Sequence, residues 1–220
     1  MSDAPPPARP FIFVLAGVNG AGKSSLGGAL LAEHGLSWFN PDHYARELAA
    51  RLGLPIAEAN GRAWEYGLQR LEAAIRQRSN HAFETTLGAH TIPALLARAA
   101  ESHDVAMIFC GLGSPEQHIA RVRLRVAHGG HDIPEAKIRE RWLASRAHLI
   151  DLLPHLHQLQ VFDNSQDAEP GGDIPDPMLL LALRAGRVLH PQPGDLQTLQ
   201  ATPAWARAIV QAALELFPPA

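Results

Sequence analysis

The chain has 220 residues, 46% of them hydrophobic, and a formal net charge of −3. That length fits one domain with a full core, and that charge gives no electrostatic reason for general nucleic-acid binding. One cysteine, Cys110 in the apolar stretch VAMIFC, excludes an internal disulfide framework and reads as a small core residue.

Taken in chain order, the proline-rich SDAPPPARP is a loose lead-in. The apolar run behind it is quickly broken by glycine and does not read as a signal peptide. No stretch approaches the length of a membrane span, so a cytoplasmic protein is expected. FIFVLAG reads as a buried strand, and a helix is predicted from Lys23 to Glu33. Ser37–Asn40 is a second short strand candidate, and Pro41 starts a helix. A longer helical pattern follows, with Ile56, Trp64, Leu68, Leu71 and Ile75 roughly on one face. His81–Gly88 predicts a third strand ending in polar residues, and Ile92–Ala100 a helix. DVAMIFCGLG is a fourth strand, followed by a helix from Pro115 to His128, a Gly129-Gly130 break and a helix from Pro134 to Leu153. Leu159–Ser165 is a fifth strand. DAEPGGDIPDP is a linker by composition, and MLLLALRAGRVLH predicts two short strands around Ala185-Gly186. The last helix is expected to start with Thr202 as its cap and Pro203 at its first position.

Strands alternating with helices predict an α/β three-layer fold, a mostly parallel sheet covered on both faces. The expected organisation is a lead-in over 1–10, a core over 11–165 with a helical lid at about 118–148, and an appendix over 166–220 on the same domain. Ligands of such sheets bind beyond the carboxyl ends of the strands. Four segments therefore matter: Gly17–Ser24, Asn40–His43, Glu84–Thr86 and Asp163–Ser165.

GVNGAGKS has the Walker A spacing, Gly17 to Gly22-Lys23-Ser24. Glycines let backbone N–H groups curl around phosphate oxygens, and the following helix presents its positive end to the same anion. Lys23, one of only two lysines in the chain, is a compact charge that can follow the β- and γ-phosphates. Ser24 can ligate a bridging magnesium. The predicted ATP-binding segment is Gly17, Asn19, Gly20, Ala21, Gly22, Lys23, Ser24 and Ser25, with ATP and Mg2+ as the expected cofactors.

Asp42 in NPDH has two readings. It accepts the proton of an attacking substrate hydroxyl, or it complements the dipole of a helix capped by Asn40. Glu84 would orient a magnesium-bound water or bind substrate, or it is a solvated strand-end acid. Thr85 and Thr86 are β-formers or hydroxyl donors to a ligand. The fourth strand ends without an acid and no LSGGQ-like segment occurs, which counts against a transport-type or motor ATPase. Arg121, Arg125 and His128 share one helix face, and the next helix carries Arg139, Arg141 and Arg146. Two arginine-bearing helices around a glycine turn suit a lid closing on a triphosphate, and they equally suit a pair of solvated surface helices. No aromatic residues interleave the arginines as a nucleic-acid stacking platform needs. His131 in GGHD is weak evidence by itself, and no metal-ligand cluster stands out among the histidines.

GVNGAGKS, NPDH, FETTL, RVAHGGHDIPEAKI and FDNS, in this order, resemble the zeta-toxin-like P-loop kinases, and most of all their bacterial branch of predicted ABC-type ATPases. The resemblance covers roughly residues 10–165. It implies a P-loop NTPase/kinase-like three-layer fold with a mostly parallel five-stranded sheet, in an enzyme that transfers the ATP γ-phosphate to a hydroxyl of a small metabolite. Zeta toxins phosphorylate the 3′-hydroxyl of UDP-N-acetylglucosamine and are neutralised by an epsilon antitoxin, so a nucleotide sugar and an antitoxin protein are the implied acceptor and partner. Carried over by position, Lys23 and Ser24 match triphosphate and magnesium contacts, Asp42 the base, Glu84 and Thr85 the substrate-side motif, and Arg125 and Arg141 the lid arginines. One departure stands out: where that branch has an RYPRS-like stretch, this chain reads RWLAS, with Ala144 in place of the second arginine. Two other readings follow: an ATP-binding switch acting through a protein partner, and a nucleotide or polynucleotide kinase.

Overall fold

The structure, a computed structural model, describes residues 9–24, 26–27, 37–167, 175–192 and 194–218. Its sheet contains β1 (Phe11–Ala16), β2 (His81–Thr85), β3 (Asp104–Gly111), β4 (Gln158–Asp163), β5 (Met178–Arg184) and β6 (Arg187–His190), in the order β2-β1-β3-β4-β5-β6. The helices among the described residues are α1 (Pro41–Leu52), α2 (Ile56–Gln77), α3 (Thr91–Ala99), α4 (Pro115–Ala127), α5 (Glu135–Leu152), α6 (Leu196–Ala201) and α7 (Arg207–Leu216). Residues 23, 24, 26 and 27 are also helical; the rest of the helix predicted to Glu33 lies outside the described residues, as does most of the linker. None of the helices among the described residues is long and apolar enough to cross a membrane.

The α/β, P-loop kinase-like architecture is the expected one. The sheet differs in detail, with six strands where five were expected. β1 to β4 are mutually parallel, and β5 and β6 run antiparallel. Ser37–Asn40 forms no strand. Phe39 makes one parallel bridge to Phe83, through Phe39 N to Ala82 O and Glu84 N to Phe39 O, each 2.9 Å. Asn40 then caps α1, accepting from His43 N, and Pro41 ends the extended run because it cannot donate to a ladder. β5 and β6 arise from MLLLALRAGRVLH. Ala185 and Gly186 both hold positive φ, the requirement of the tight turn that matches strand twist.

The register sets Ala16 level with Thr85, Phe109 and Val161, and β3 and β4 run two residues further to the Gly111–Asp163 pair, so the carboxyl ends of four parallel strands share one edge. Below them Ile12, Val14, Val105, Met107, Phe109, Leu159 and Val161 form the main core with residues of α2, α3, α5 and α7. Leu15 lies on the opposite face, directly under Gly27; a Cβ there would come within 2.3 Å of it.

α2 keeps part of its predicted face, with Leu71 buried and Leu68 and Ile75 packed on the main core, and departs from it elsewhere. Ala59, Ala63, Leu71 and Ala74 are buried, while Ile56 and Trp64 are exposed. Small alanines on α2 let α1 pack closely, through Ala45 and Leu48, and an indole is too large for that seam.

The C-terminal helix begins at Arg207, not Pro203. Thr202 turns backward: its hydroxyl donates to Thr198 O at 3.1 Å and it closes α6, a helix absent from the sequence reading. The residues between are shaped by Trp205, 4% exposed, whose indole N–H donates to Asp163 Oδ1 at 2.9 Å. Its ring lies on Gly111, where a Cβ would meet it at 2.3 Å. Trp205→Ala is therefore expected to destabilise the chain by about 3–5 kcal/mol, and Trp205→Phe by about 1–2 kcal/mol, in urea denaturation monitored by circular dichroism.

Candidate active site

The glycine loop between β1 and the following helix is held by strand ends and by α4. Gly17 N donates to Thr85 O at 3.2 Å. A side chain at Gly17 would collide with the Cys110 carbonyl at 2.2 Å, and its φ of +140° also demands glycine. Ala21 O accepts both the Cys110 thiol (3.0 Å) and Asn164 Nδ2 (2.9 Å). Cys110 is thus more than core filling: it buttresses the loop, and burial pushes its thiol up to about 12, which removes it from thiolate chemistry.

Asn19 ties the loop to two helices. Its carbonyl accepts His118 Nδ1 of α4 at 2.9 Å, and its Oδ1 accepts Arg141 Nη1 of α5 at 2.8 Å. A carbonyl can only accept, so His118 carries its proton on Nδ1. The imidazole is 1% exposed and held neutral, its pKa lowered to about 4, chiefly by burial. Val18 joins Ile119, Val122, Ile133 and Ile138 in a small apolar cluster beneath the same junction.

Lys23 is 6% exposed. Its Nζ lies 3.4 Å from Glu84 Oε1 and donates to Val18 O at 3.4 Å. Glu84 Oε2 accepts Ser24 Oγ at 3.0 Å and Asn40 Nδ2 at 2.8 Å. One carboxylate at the end of β2 thus meets the Walker A lysine, the Walker A serine and the residue that caps α1. Ser25 lies outside the described residues.

Beside this junction opens a cavity of about 410 Å³. Asn19, Asp42, Glu84, Thr85 and Arg141 line it together with Phe39, Trp64, Phe83, Ile92, His131, Lys137 and Glu140. Asp42 lines the cavity from the first turn of α1, whose N-cap is Asn40, where its charge complements the helix dipole. Thr85 Oγ1 accepts Leu87 N at 3.1 Å. Leu87 holds a positive φ of 55°, and its carbonyl is bound by His148 Nδ1 at 2.8 Å, which is in turn linked to His90 at 3.0 Å. That pair pins the Thr86–Gly88 rim of the cavity.

The arginines separate. Arg141 lines the cavity; Arg125 does not, and its Nη2 donates to His131 O at 3.4 Å while its buried Nε has no partner. Arg139 pairs with Glu116 at 2.6 Å on the surface. Arg146 stacks on Trp142 at 3.6 Å and donates to Trp205 O, away from the loop. Asp163 and Ser165 belong to the Trp205 anchor, so of the fourth strand-end segment only Asn164 touches the loop. Sequence reasoning missed Trp64, Lys137 and Glu140 as neighbours of the site. Asn40 lay in a strand-end segment already singled out, and the structure adds its bond to Glu84.

These features define a P-loop kinase-like fold. The chain belongs to the AAA domain family, whose model matches residues 12–149. The crystal structure of AvrRxo1-ORF1 with AvrRxo1-ORF2 and ATP is similar at a TM-score of 0.59 and 17% identity, over 96% of this chain and 77% of that one. The same complex with sulphate ions gives 0.59 and 16%, over 95% and 76%. The PezAT toxin–antitoxin system of Streptococcus pneumoniae aligns at 0.48 and 14%, over 73% and 69%, too distant to carry an argument. At these identities the likeness is one of fold. No functionally curated sequence matches significantly.

The neutral His118 has a consequence for stability. Its folded pKa, about 4, lies below the ordinary value of 6.5, so its contribution is complete above pH 6.5 and is lost as pH falls toward 4. The melting temperature is expected to drop between pH 7 and pH 5 in calorimetry, and to drop less in His118→Gln, which titrates no proton there.

Proposed function

We propose that the chain is an ATP-dependent phosphotransferase that passes the γ-phosphate to a hydroxyl of a small molecule held in the 410 Å³ cavity. The observation that carries this reading is Glu84. It joins Lys23 and Ser24 on one side and borders the cavity lined by Asp42 on the other. A phosphate-binding loop thus adjoins a concave pocket with a carboxylate in it, the layout that phosphoryl transfer by positioning requires.

In this reading Gly17, Asn19, Gly20, Ala21, Gly22, Lys23, Ser24 and Ser25 bind ATP. Lys23 clamps the phosphates, Asp42 accepts the hydroxyl proton, and Glu84 and Thr85 face the acceptor. Arg141 already sits at the cavity, and Arg125 would neutralise developing charge from the lid. The described residues include no group of three or more His, Cys, Asp or Glu placed to hold a metal. Ser24 Oγ and Glu84 are hard oxygen donors 3.0 Å apart, which fits a magnesium ion completed by phosphate oxygens and water. When bound, that ion neutralises phosphate charge. Residues 11–165 form the catalytic core, about 118–148 the lid, and 166–220 an appendix on the same domain.

The motif resemblance supports a finer reading: a nucleotide sugar such as UDP-N-acetylglucosamine as acceptor and an antitoxin as partner. Ala144, with Arg139 engaged by Glu116 and Arg146 by Trp142, favours a second reading, an ATP-binding switch acting through a protein.

Incubation with ATP, magnesium and a metabolite extract enriched in nucleotide sugars, read by mass spectrometry, tests this. One new species heavier by a phosphoryl group is expected. Asp42→Asn should slow its formation by about 10²–10⁴ while retaining ATP binding, and Lys23→Ala should lose both. ATP binding with no acceptor-dependent product would favour the switch.

A further inference from the structure

The turn between α4 and α5 is wound onto Arg125. Gly130 N donates to Arg125 O at 2.9 Å, and a Cβ on Gly130 would lie 2.9 Å from that same oxygen. Arg125 Nη2 then reaches forward to His131 O at 3.4 Å. The arginine therefore grips the turn at both ends, and His131 lines the cavity that Asp42 lines. Charged groups on several elements act on this histidine. Asp42 and Arg46 come from α1, Arg125 from α4 and Asp132 from the turn itself. Glu84 of β2 and Lys137, Glu140 and Arg141 of α5 line the same cavity. Partial burial lowers the pKa of His131, Asp42 opposes that, and Arg125 and Arg46 add to it. Burial thus favours the neutral ring, which carries a lone pair able to accept a proton.

We propose that His131 is the proton acceptor behind Asp42, placed by Arg125; this rests on the phosphotransferase reading. As the acceptor oxygen bonds to the γ-phosphorus, the bond from that phosphorus to the β–γ bridging oxygen breaks and its electron pair leaves with ADP. The hydroxyl proton goes to the Asp42 carboxylate. Asp42 and His131 line the same cavity without touching, so a cavity water carries the proton from Asp42, which is restored, to the His131 lone pair, and the imidazolium releases it to solvent. No further reagent is needed. A lid arginine that also sets the relay would couple lid position to proton removal.

Two measurements test the step. The first is a nitrogen-15 NMR titration of the histidine rings, with His131 assigned through His131→Asn, in the unaltered protein and in Asp42→Asn. It needs no ATP or acceptor. The His131 midpoint is expected below 6.5 in the unaltered protein, and lower by about half a pH unit or more in Asp42→Asn, because removing a nearby negative charge disfavours the imidazolium. An unchanged midpoint overturns the pairing. The second is the ATP and metabolite-extract assay as a function of pH. His131→Gln is expected to lower kcat about 10- to 100-fold with the KM for ATP unchanged, and to abolish the fall in rate on the acid side. A His131→Gln variant with full kcat and an unaltered pH profile also overturns the step. If the unaltered protein gives no turnover while the titration still links Asp42 to His131, the phosphotransferase reading fails and takes this step with it. If turnover is intact and the link is absent, only this step fails.

Discussion

A lysine that is almost fully buried needs a counter-charge, and here it has one: Glu84. The ammonium of Lys23 and the carboxylate at the end of β2 lie 3.4 Å apart with little water around either. Removing one member of such a pair strands the other charge, at a cost of roughly 3–5 kcal/mol. The same carboxylate also binds Ser24 and Asn40. It therefore fixes the distance between the glycine loop, the β2 edge and the start of α1. The cavity and Asp42 take their positions from that frame.

A second constraint comes from Asn19. Its two oxygens are held by His118 and Arg141, so the loop, α4 and α5 are bonded at one residue. Arg141 is also packed tightly over Gly88, where a Cβ would lie 2.5 Å from its side chain. Glycine loop, helical hairpin and cavity rim thus meet around one arginine. Movement of α5 would be felt at all three, since close-packed groups transmit displacement.

The C-terminal segment is part of this frame as well. β5 extends the sheet from β4, and Trp205 closes over Gly111 at the end of β3 while its N–H satisfies Asp163. The acid at the end of β4 is consumed by this anchor. That is the physical reason Asp163 takes no place at the cavity although it follows a strand, as site residues of this architecture do.

Much of this was legible in local sequence, because local chemistry governs it. Walker A spacing dictates a loop of positive-φ glycines. Asn40-Pro41 and Ser114-Pro115 dictate helix starts with side-chain caps, and both form. The alternation of apolar runs with helical patterns dictated the parallel core, and Ala185-Gly186 the hairpin. Contacts between segments distant in sequence were not legible. Nothing near Trp64 says that alanines on its own helix will take the seam with α1 and leave the indole at a cavity. Nothing near Trp205 says that an acid 42 residues away will hold its N–H and delay the last helix to Arg207. His131 read as one histidine among many until the glycine turn carried it to the cavity of Asp42. The sequence alone determined which elements form and which loop can cradle phosphate, because propensity and spacing act within a few residues. Only the tertiary structure decided which strand-end acids face the loop and which are spent on anchoring, because register and packing bring those residues together.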